Sequence, residues 1–376
     1  MPQPLDLDRL ARFFVRFADT ECRAEPLYEA LCRICARTPA LLALLEDAPP
    51  EQRRPNLLLA AVHELLLAGS THPLAAWFPS VGGDRAPDET LAAQLLDFCD
   101  QHDAALRERI ATRTTQTNET GRCAVLWPVL QELVRRTGRE RIALLDWGCS
   151  GGLNLGVDRY AYEIGGVHFG AEAQAGVPVI ACRVVGADRP DPDAPVPHIV
   201  DRLGVDPAPI DVTDDSAVRW LRACLWPNDA PRRARLDAAV ALARAERWPV
   251  RREIDCTAAA VRWAAAQPAD VLPVVFNSWV LTYLAPDALA HHRNAMHTLV
   301  QQRGAAWVSA RGAAPAQRRR ACAASARGCR RGASPRFAVG ADAGGRGRAA
   351  HERAGTLASA RQMARVVRPD RMKEAR

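Results

Sequence analysis

Four apolar runs in the second half of the chain each end in polar residues whose types suit a ligand site. The first run, Ile142 to Leu145, closes on Asp146 and then on Gly148, Ser150, Gly151 and Gly152. A buried strand that empties into a Gly-rich turn lets a ligand approach the backbone, because no Cβ stands in the way. The N–H groups of residues 148–152 are thereby expected to meet an anionic ligand group. Asp206 closes the second run and suits a pair of ribose hydroxyls. A charge-assisted hydrogen bond of that kind is worth roughly 1.5–3 kcal/mol. Asp255, followed by Cys256 and Thr257, closes the third and suits an exocyclic amino group. Asn277 and Ser278 close the fourth, where the reacting group of a substrate would lie. Singly, an Asp after a strand is a helix cap and an Asn begins a turn. Four in succession favour a site.

A second polar cluster, Thr115-Gln-Thr-Asn-Glu-Thr-Gly-Arg122, precedes a helical pattern from Gly121 to Thr137. That 17-residue helix would be ~25 Å long, at about 1.5 Å per residue. The seven-residue strand after it covers ~23 Å at about 3.3 Å per residue. Run antiparallel, the two bring Gln116, Asn118, Glu119 and Arg122 over the Gly-rich turn. Glu119 is the carboxylate best placed to act there as a general base. A plain helix cap at Thr117 or Asn118 explains the cluster equally well. Trp279 and Tyr283 would shape a substrate pocket or simply pack on a helix face.

The elements that must hold these groups follow from periodicity. Residues 1–68 contain no glycine. Residues 1–110 show helical spacing and no strand signal, including one helix from Pro87 to about Arg109. From 111 to 310 strands alternate with helices. Strands are predicted at 141–147, 199–205, 250–254, 271–276 and 305–309. Helices are predicted at 215–225, 231–247, 257–266 and 286–302. That alternation specifies an α/β fold with a doubly wound, mostly parallel sheet. Residues 162–197, rich in Gly and Pro, interrupt it as hairpins or an extended insertion.

The net charge of +7 is misleading. Residues 311–376 hold sixteen Arg and one Lys against four acids, which leaves residues 1–310 at −6. Basic charge confined to that tail argues against a nucleic-acid-binding domain. Forty-two of the tail's 66 residues are Ala, Arg or Gly. Such a composition predicts disorder and suggests a divergent or frameshifted ending, with only residues 336–340 hinting at a strand. Eleven cysteines without framework spacing, and no secretory signal, suggest free thiols in a reducing cytoplasm. Cys32-Arg-Ile-Cys35 reads as buried helix-face cysteines, and no metal site is expected. The longest apolar stretch, Leu57 to Leu67, is broken by His63 and Glu64 and is too short for a membrane span.

Asp146-x-Gly-x-Ser-x-Gly152 resembles the S-adenosylmethionine loop of class I methyltransferases, with Ser150 in place of a glycine. The 53 residues between Gly152 and Asp206 exceed the spacing of about 20 usual in nucleotide-binding α/β folds, an excess that the insertion must supply. Gly148 to Gly152 also resembles the Gly-x-Ser-x-Gly elbow of α/β-hydrolases. In that alternative Ser150 is a nucleophile, with Asp255 and one of His291, His292 or His297. Helix alone before residue 140, and histidines inside a helix, weigh against it. A nicotinamide site would need glycine at 150 and 153, where Ser and Leu stand.

Across residues 5–310 the chain resembles a bacterial domain-of-unknown-function family, number 2332. The resemblance rests on Gln116-Thr-Asn-Glu119, Gly121-Arg122, Ser150-Gly-Gly-Leu-Asn-Leu155, Asp158-Arg-Tyr160, Arg202-Leu-Gly-Val-Asp206, Pro209-Ile-Asp-Val212, Trp220-Leu-Arg-Ala223, Trp226-Pro227 and Arg235-Leu236. It implies that Asn154, Asp158, Arg159 and the Gln-Thr-Asn-Glu segment share one site. It brings no activity with it. The favoured reading is a methyltransferase-like domain that binds S-adenosylmethionine and acts on a small molecule. A non-catalytic nucleotide-binding protein is a further alternative.

Overall fold

In a computed structural model the chain is described over residues 5–116, 118–185, 190–310 and 338–340. It divides into two compact units. The first is helical and takes in residues 5–116 and 211–234. The second holds the strands and takes in residues 118–210 and those from 235 onward.

The helical unit contains α1 (Leu7–Thr20), α2 (Pro26–Ala36), α3 (Pro39–Ala43), α4 (Pro55–Leu67), α5 (Leu91–Gln101) and α6 (Asp103–Thr112). The single helix predicted from Pro87 is thus two, separated at His102, whose ring packs on Phe98. Buried Phe14, Leu31, Leu45, Leu58 and Phe98 form its core. α4 is buried from Leu57 to Leu66, which explains why its leucines are not confined to one face. The polar pair that interrupts them is satisfied inside. His63 bonds Ser80 Oγ (2.6 Å) and the Ala223 carbonyl (3.1 Å). Glu64 accepts from two arginines. No described helix is long and apolar enough to cross a membrane.

The predicted division near residue 110 needs one correction. α8 (Asp215–Ala223) and the start of α9 (Ala230–Glu246) belong to the helical unit. Trp220 is buried in that core and donates to the Thr114 carbonyl (2.9 Å).

In the second unit α7 (Cys123–Thr137) ends on Gly138, whose φ of +66° closes the helix. There follow β1 (Arg141–Trp147), β2 (Ala161–Ile164), β3 (Val167–Gly170), β4 (Val179–Val185), β5 (His198–Asp206), β6 (Val250–Arg252), α10 (Cys256–Ala265), β7 (Leu272–Ser278), α11 (Pro286–Arg303), β8 (Ala306–Ala310) and β9 (Ala338–Gly340). Five strands form a sheet of order β6-β5-β1-β7-β8, and every pairing is parallel. Counted by appearance within the sheet, the order is 3-2-1-4-5. The chain therefore steps outward from β1 in one direction and returns to continue in the other. Between β1 and β7 lies a topological switch point, the place where ligands bind doubly wound sheets.

Odd-numbered residues of the central strands, such as Leu145, Trp147 and Val275, pack with Trp307 against α10 and α11. Even-numbered residues of β1, Asp146 among them, point to the opposite face and are buried as well. The predicted insertion is a separate sheet of order β3-β2-β4-β9. Its β2–β3 hairpin turns through Gly165 and Gly166, both at positive φ. This sheet accounts for the long spacing between Gly152 and Asp206.

Candidate functional site

The turn after β1 is set by its own backbone. Gly148, Ser150 and Gly152 all have positive φ, of +76°, +53° and +70°. A non-Gly residue costs roughly 1–2 kcal/mol there, so Ser150 occupies a glycine-like position. Two contacts hold it. Its N–H donates to Asp206 Oδ2 (2.9 Å), and its carbonyl accepts from Ile210 N–H (3.2 Å). Three of the other four N–H groups are also engaged. Gly148 and Cys149 donate to the Val205 carbonyl, and Gly152 donates to the Cys149 carbonyl.

Two expectations change accordingly. The backbone of residues 148–152 is largely spent on the protein and is not a free anion cradle. Gly148 and Gly152 leave no open space either. A Cβ on Gly148 would stand 2.6 Å from Val280 Cγ2, and one on Gly152 would stand 2.6 Å from Val250 Cγ2.

Asp206 is brought to the turn as expected for the acid after the second strand of the sheet. Its Oδ1 accepts from Ala208 N–H (2.8 Å) while Oδ2 accepts from Ser150. Each oxygen keeps acceptor capacity for one further donor. Asp146 is buried beneath the turn, and Asn154 Nδ2 donates to it (3.4 Å). Burial pushes its carboxyl up to about 7, against the pull of Asn154 and of the Arg122 cation. Asn154 Oδ1 in turn accepts from the Cys123 thiol (3.4 Å).

The Gln-Thr-Asn-Glu segment is divided. Gln116 lies in the helical unit, and Thr117 is outside the described residues. Asn118 is buried with its Nδ2 unpartnered. Glu119 caps the short turn Thr120–Arg122 by accepting from Gly121 N–H (2.7 Å), and it pairs with Arg235 (3.1 Å). A carboxylate so paired makes a poor base, and the role expected of it is withdrawn. Arg122 reaches the Ser278 carbonyl (3.4 Å) from the start of α7 while its charge acts on Asp146. It therefore stands at the carboxyl ends of β1 and β7.

Several predicted site residues lie elsewhere. Asn277 is wholly buried in the layer facing α10 and α11. It accepts from Trp307 Nε1 (2.8 Å) and donates to Ser309 Oγ (3.0 Å), so it faces no substrate. Cys256 is buried with its thiol on the Glu253 carbonyl (3.1 Å), and burial pushes that thiol up to about 12. Asp255 is exposed and caps α10 by accepting from Ala258 N–H (2.9 Å). Asp158 is held bidentately by Arg202 (2.9 and 3.0 Å). Arg202 pairs in register with Leu144, two residues below Asp146, so Asp158 braces the flank of the sheet. Arg159 forms a surface pair with Glu246 (3.1 Å).

The hydrolase constellation does not assemble. His292 is fully buried between Trp147 and Trp307 and bonds Thr257 Oγ1 (3.0 Å). Burial lowers its imidazole to about 4. His297 packs on Trp307, and Asp255 bonds the Ala258 N–H at the start of α10 rather than a histidine.

Three apolar side chains at the carboxyl ends of the strands are exposed: Ile254 (81%) after β6, then Trp279 (48%) and Tyr283 (73%) after β7. Trp279 also has a φ of +64°, held by its N–H on the Ala310 carbonyl (3.0 Å). Sequence reading passed over Ile254, Val280 and the partnering role of Arg235. An apolar residue after a strand, and an arginine in a helix, carry no local sign of such roles.

The fold and this arrangement define an α/β protein with a parallel five-stranded sheet and a glycine-rich turn at the carboxyl end of its central strand. The chain belongs to the bacterial family described as "Uncharacterized protein conserved in bacteria (DUF2332)", whose model matches residues 11–352. That span runs past residue 310, where the motif resemblance stops, and takes in β9, which pairs with β4. The disorder expected of the tail otherwise falls outside the described residues. Neither the curated proteins nor the solved structures provide a match.

Proposed function

We propose that the second unit binds S-adenosylmethionine at the switch point and transfers its methyl group to a small molecule, as a class I methyltransferase-like domain. The supporting observation is the 3-2-1-4-5 parallel order, in which the acid closing the second strand is bonded to the positive-φ turn closing the first. Asp206 has acceptor capacity left for ribose hydroxyls. Ile254 offers an apolar surface to adenine, with Asp255 beside it as an acceptor. Arg122 supplies the cation for the methionine carboxylate that the spent backbone does not. Trp279 and Tyr283 are left to the substrate. When bound, the cofactor would supply an electrophilic methyl group.

Calorimetry on the full chain tests this reading. It expects micromolar S-adenosylmethionine binding, lost in Asp206→Ala with the fold intact by circular dichroism. A folded wild-type chain that gives no binding heat overturns it. A second reading, binding without turnover, is favoured by the pairing of Glu119 with Arg235 and by the burial of Asn277. Binding with no methylated product across a substrate screen would select it.

A further inference from the structure

The helical unit contains a cavity of about 440 Å³ lined by Glu64, Glu108, Arg109, Thr112, Arg113 and Ser216. Two arginines thus face two glutamates, and the lining carries no net charge. The four charges are not equally engaged. Glu64 is buried and accepts from Arg109 Nε (2.5 Å) on one oxygen. Its other oxygen accepts from Arg219 Nε (2.6 Å), which stands outside the lining. Arg109 also donates to the Ala105 carbonyl (3.0 Å). Glu64 and Arg109 are therefore spent largely on each other and form a wall of balanced charge.

The remaining charges, Arg113 and Glu108, keep most of their bonding capacity. Arg113 donates to Ser216 Oγ (3.3 Å) and lies over the Trp220 ring (5.9 Å). It pairs with no carboxylate among the described residues, and most of the five N–H donors of a guanidinium are left to it. The Glu108 carboxylate comes within 3.6 Å of Arg109, beyond hydrogen-bond reach, so both its oxygens can still accept. Two hydroxyls complete the lining. Thr112 Oγ1 donates to the Glu108 carbonyl (2.7 Å) and can still accept, whereas Ser216 Oγ accepts from Arg113 and can still donate. A lone anion or a lone cation gains from one of the two open charges and is repelled by the other. A molecule that carries both charges is matched at both ends. Its carboxylate suits the planar donors of Arg113, and its ammonium suits the oxygens of Glu108. The volume falls in the range of small-molecule sites, roughly 300–1,000 Å³.

We propose that this cavity binds a free amino acid in its zwitterionic form, with Arg113 on the carboxylate and Glu108 on the ammonium. The cavity belongs to the helical unit, whereas S-adenosylmethionine is assigned to the other, so the proposal stands whether or not that reading holds.

Titration calorimetry on the full chain, at neutral pH and constant ionic strength, tests it with glycine, L-glutamine and 4-aminobutyrate as zwitterions. Propionate and ethylamine serve as analogues that carry a single charge. Saturable binding of at least one zwitterion is expected, with both single-charge analogues weaker by about tenfold or more, the loss of one charge-assisted hydrogen bond. Arg113→Gln and Glu108→Gln should each weaken the zwitterion by a similar factor. Glu108 has an exposed side chain, so its variant carries the test if Arg113→Gln fails to fold. The proposal is overturned if no zwitterion binds saturably, if either single-charge analogue binds as tightly, or if the folded variants keep wild-type affinity.

Discussion

The Ser150 N–H donates to Asp206 Oδ2 at 2.9 Å, joining the turns that close β1 and β5 across 56 residues of sequence. This bond makes one carboxylate both the brace of a strained turn and the candidate partner of a ligand. Asp206→Asn keeps one acceptor oxygen, whereas Asp206→Ala keeps neither. We expect Asp206→Ala to lose about 1–3 kcal/mol of stability by removing the acceptor of the Ser150 and Ala208 N–H groups, and Asp206→Asn to lose less. Denaturant melts rank the two. Equal stability of all three proteins would mean that the brace is not needed.

Gly148→Ala combines a positive φ with a clash on Val280. The expected loss is about 1–3 kcal/mol in urea unfolding. Adding Val280→Ala should recover only part of it, because the backbone strain remains. Full recovery would show that sterics alone require the glycine.

Trp279 keeps its indole exposed at a φ that costs a bulky residue about 1–2 kcal/mol. Trp279→Gly is expected to stabilise the fold by about 0.5–1 kcal/mol while weakening substrate capture. A variant that is less stable than wild type would show that the ring contributes packing rather than recognition.

Burial raises Asp146 from 3.8 to about 7. The folded state therefore holds this proton where the unfolded chain has released it. The contribution is fully present below about pH 4 and is lost as pH rises through 7. Asp146→Asn should accordingly raise the melting temperature at pH 8 and leave it nearly unchanged at pH 4. An equal effect at both values would count against a protonated Asp146.

His63 and His292 shift the other way, each lowered by burial to about 4. Their contribution is present above about pH 6.5 and is lost as pH falls towards 4, when the unfolded chain takes up both protons. Stability measured from pH 7 to 4 should fall with an uptake approaching two protons from these residues. His292→Phe should remove one of them.

Much of the scaffold is local information. The apolar run of β1, the alternation of strands with helices and the Gly138 stop follow from side-chain period and backbone freedom within a few residues, so the sequence alone determined them. It also marked Asp206 and the turn at 148–152, because a strand end and a glycine cluster are local signs. Side-chain direction and partners are not local. All seven residues of β7 are buried, so hydrophobicity could not tell which face Asn277 presents; sheet parity and Trp307 decide that. Arg235 neutralises Glu119 from 116 residues away, Val280 fills the space over Gly148 from 132 away, and Trp220 draws the segment around α8 into the helical core. The sequence thus set which groups stand at strand ends. Only tertiary packing decided which of them remain available to a ligand, because each competing partner comes from a distant part of the chain.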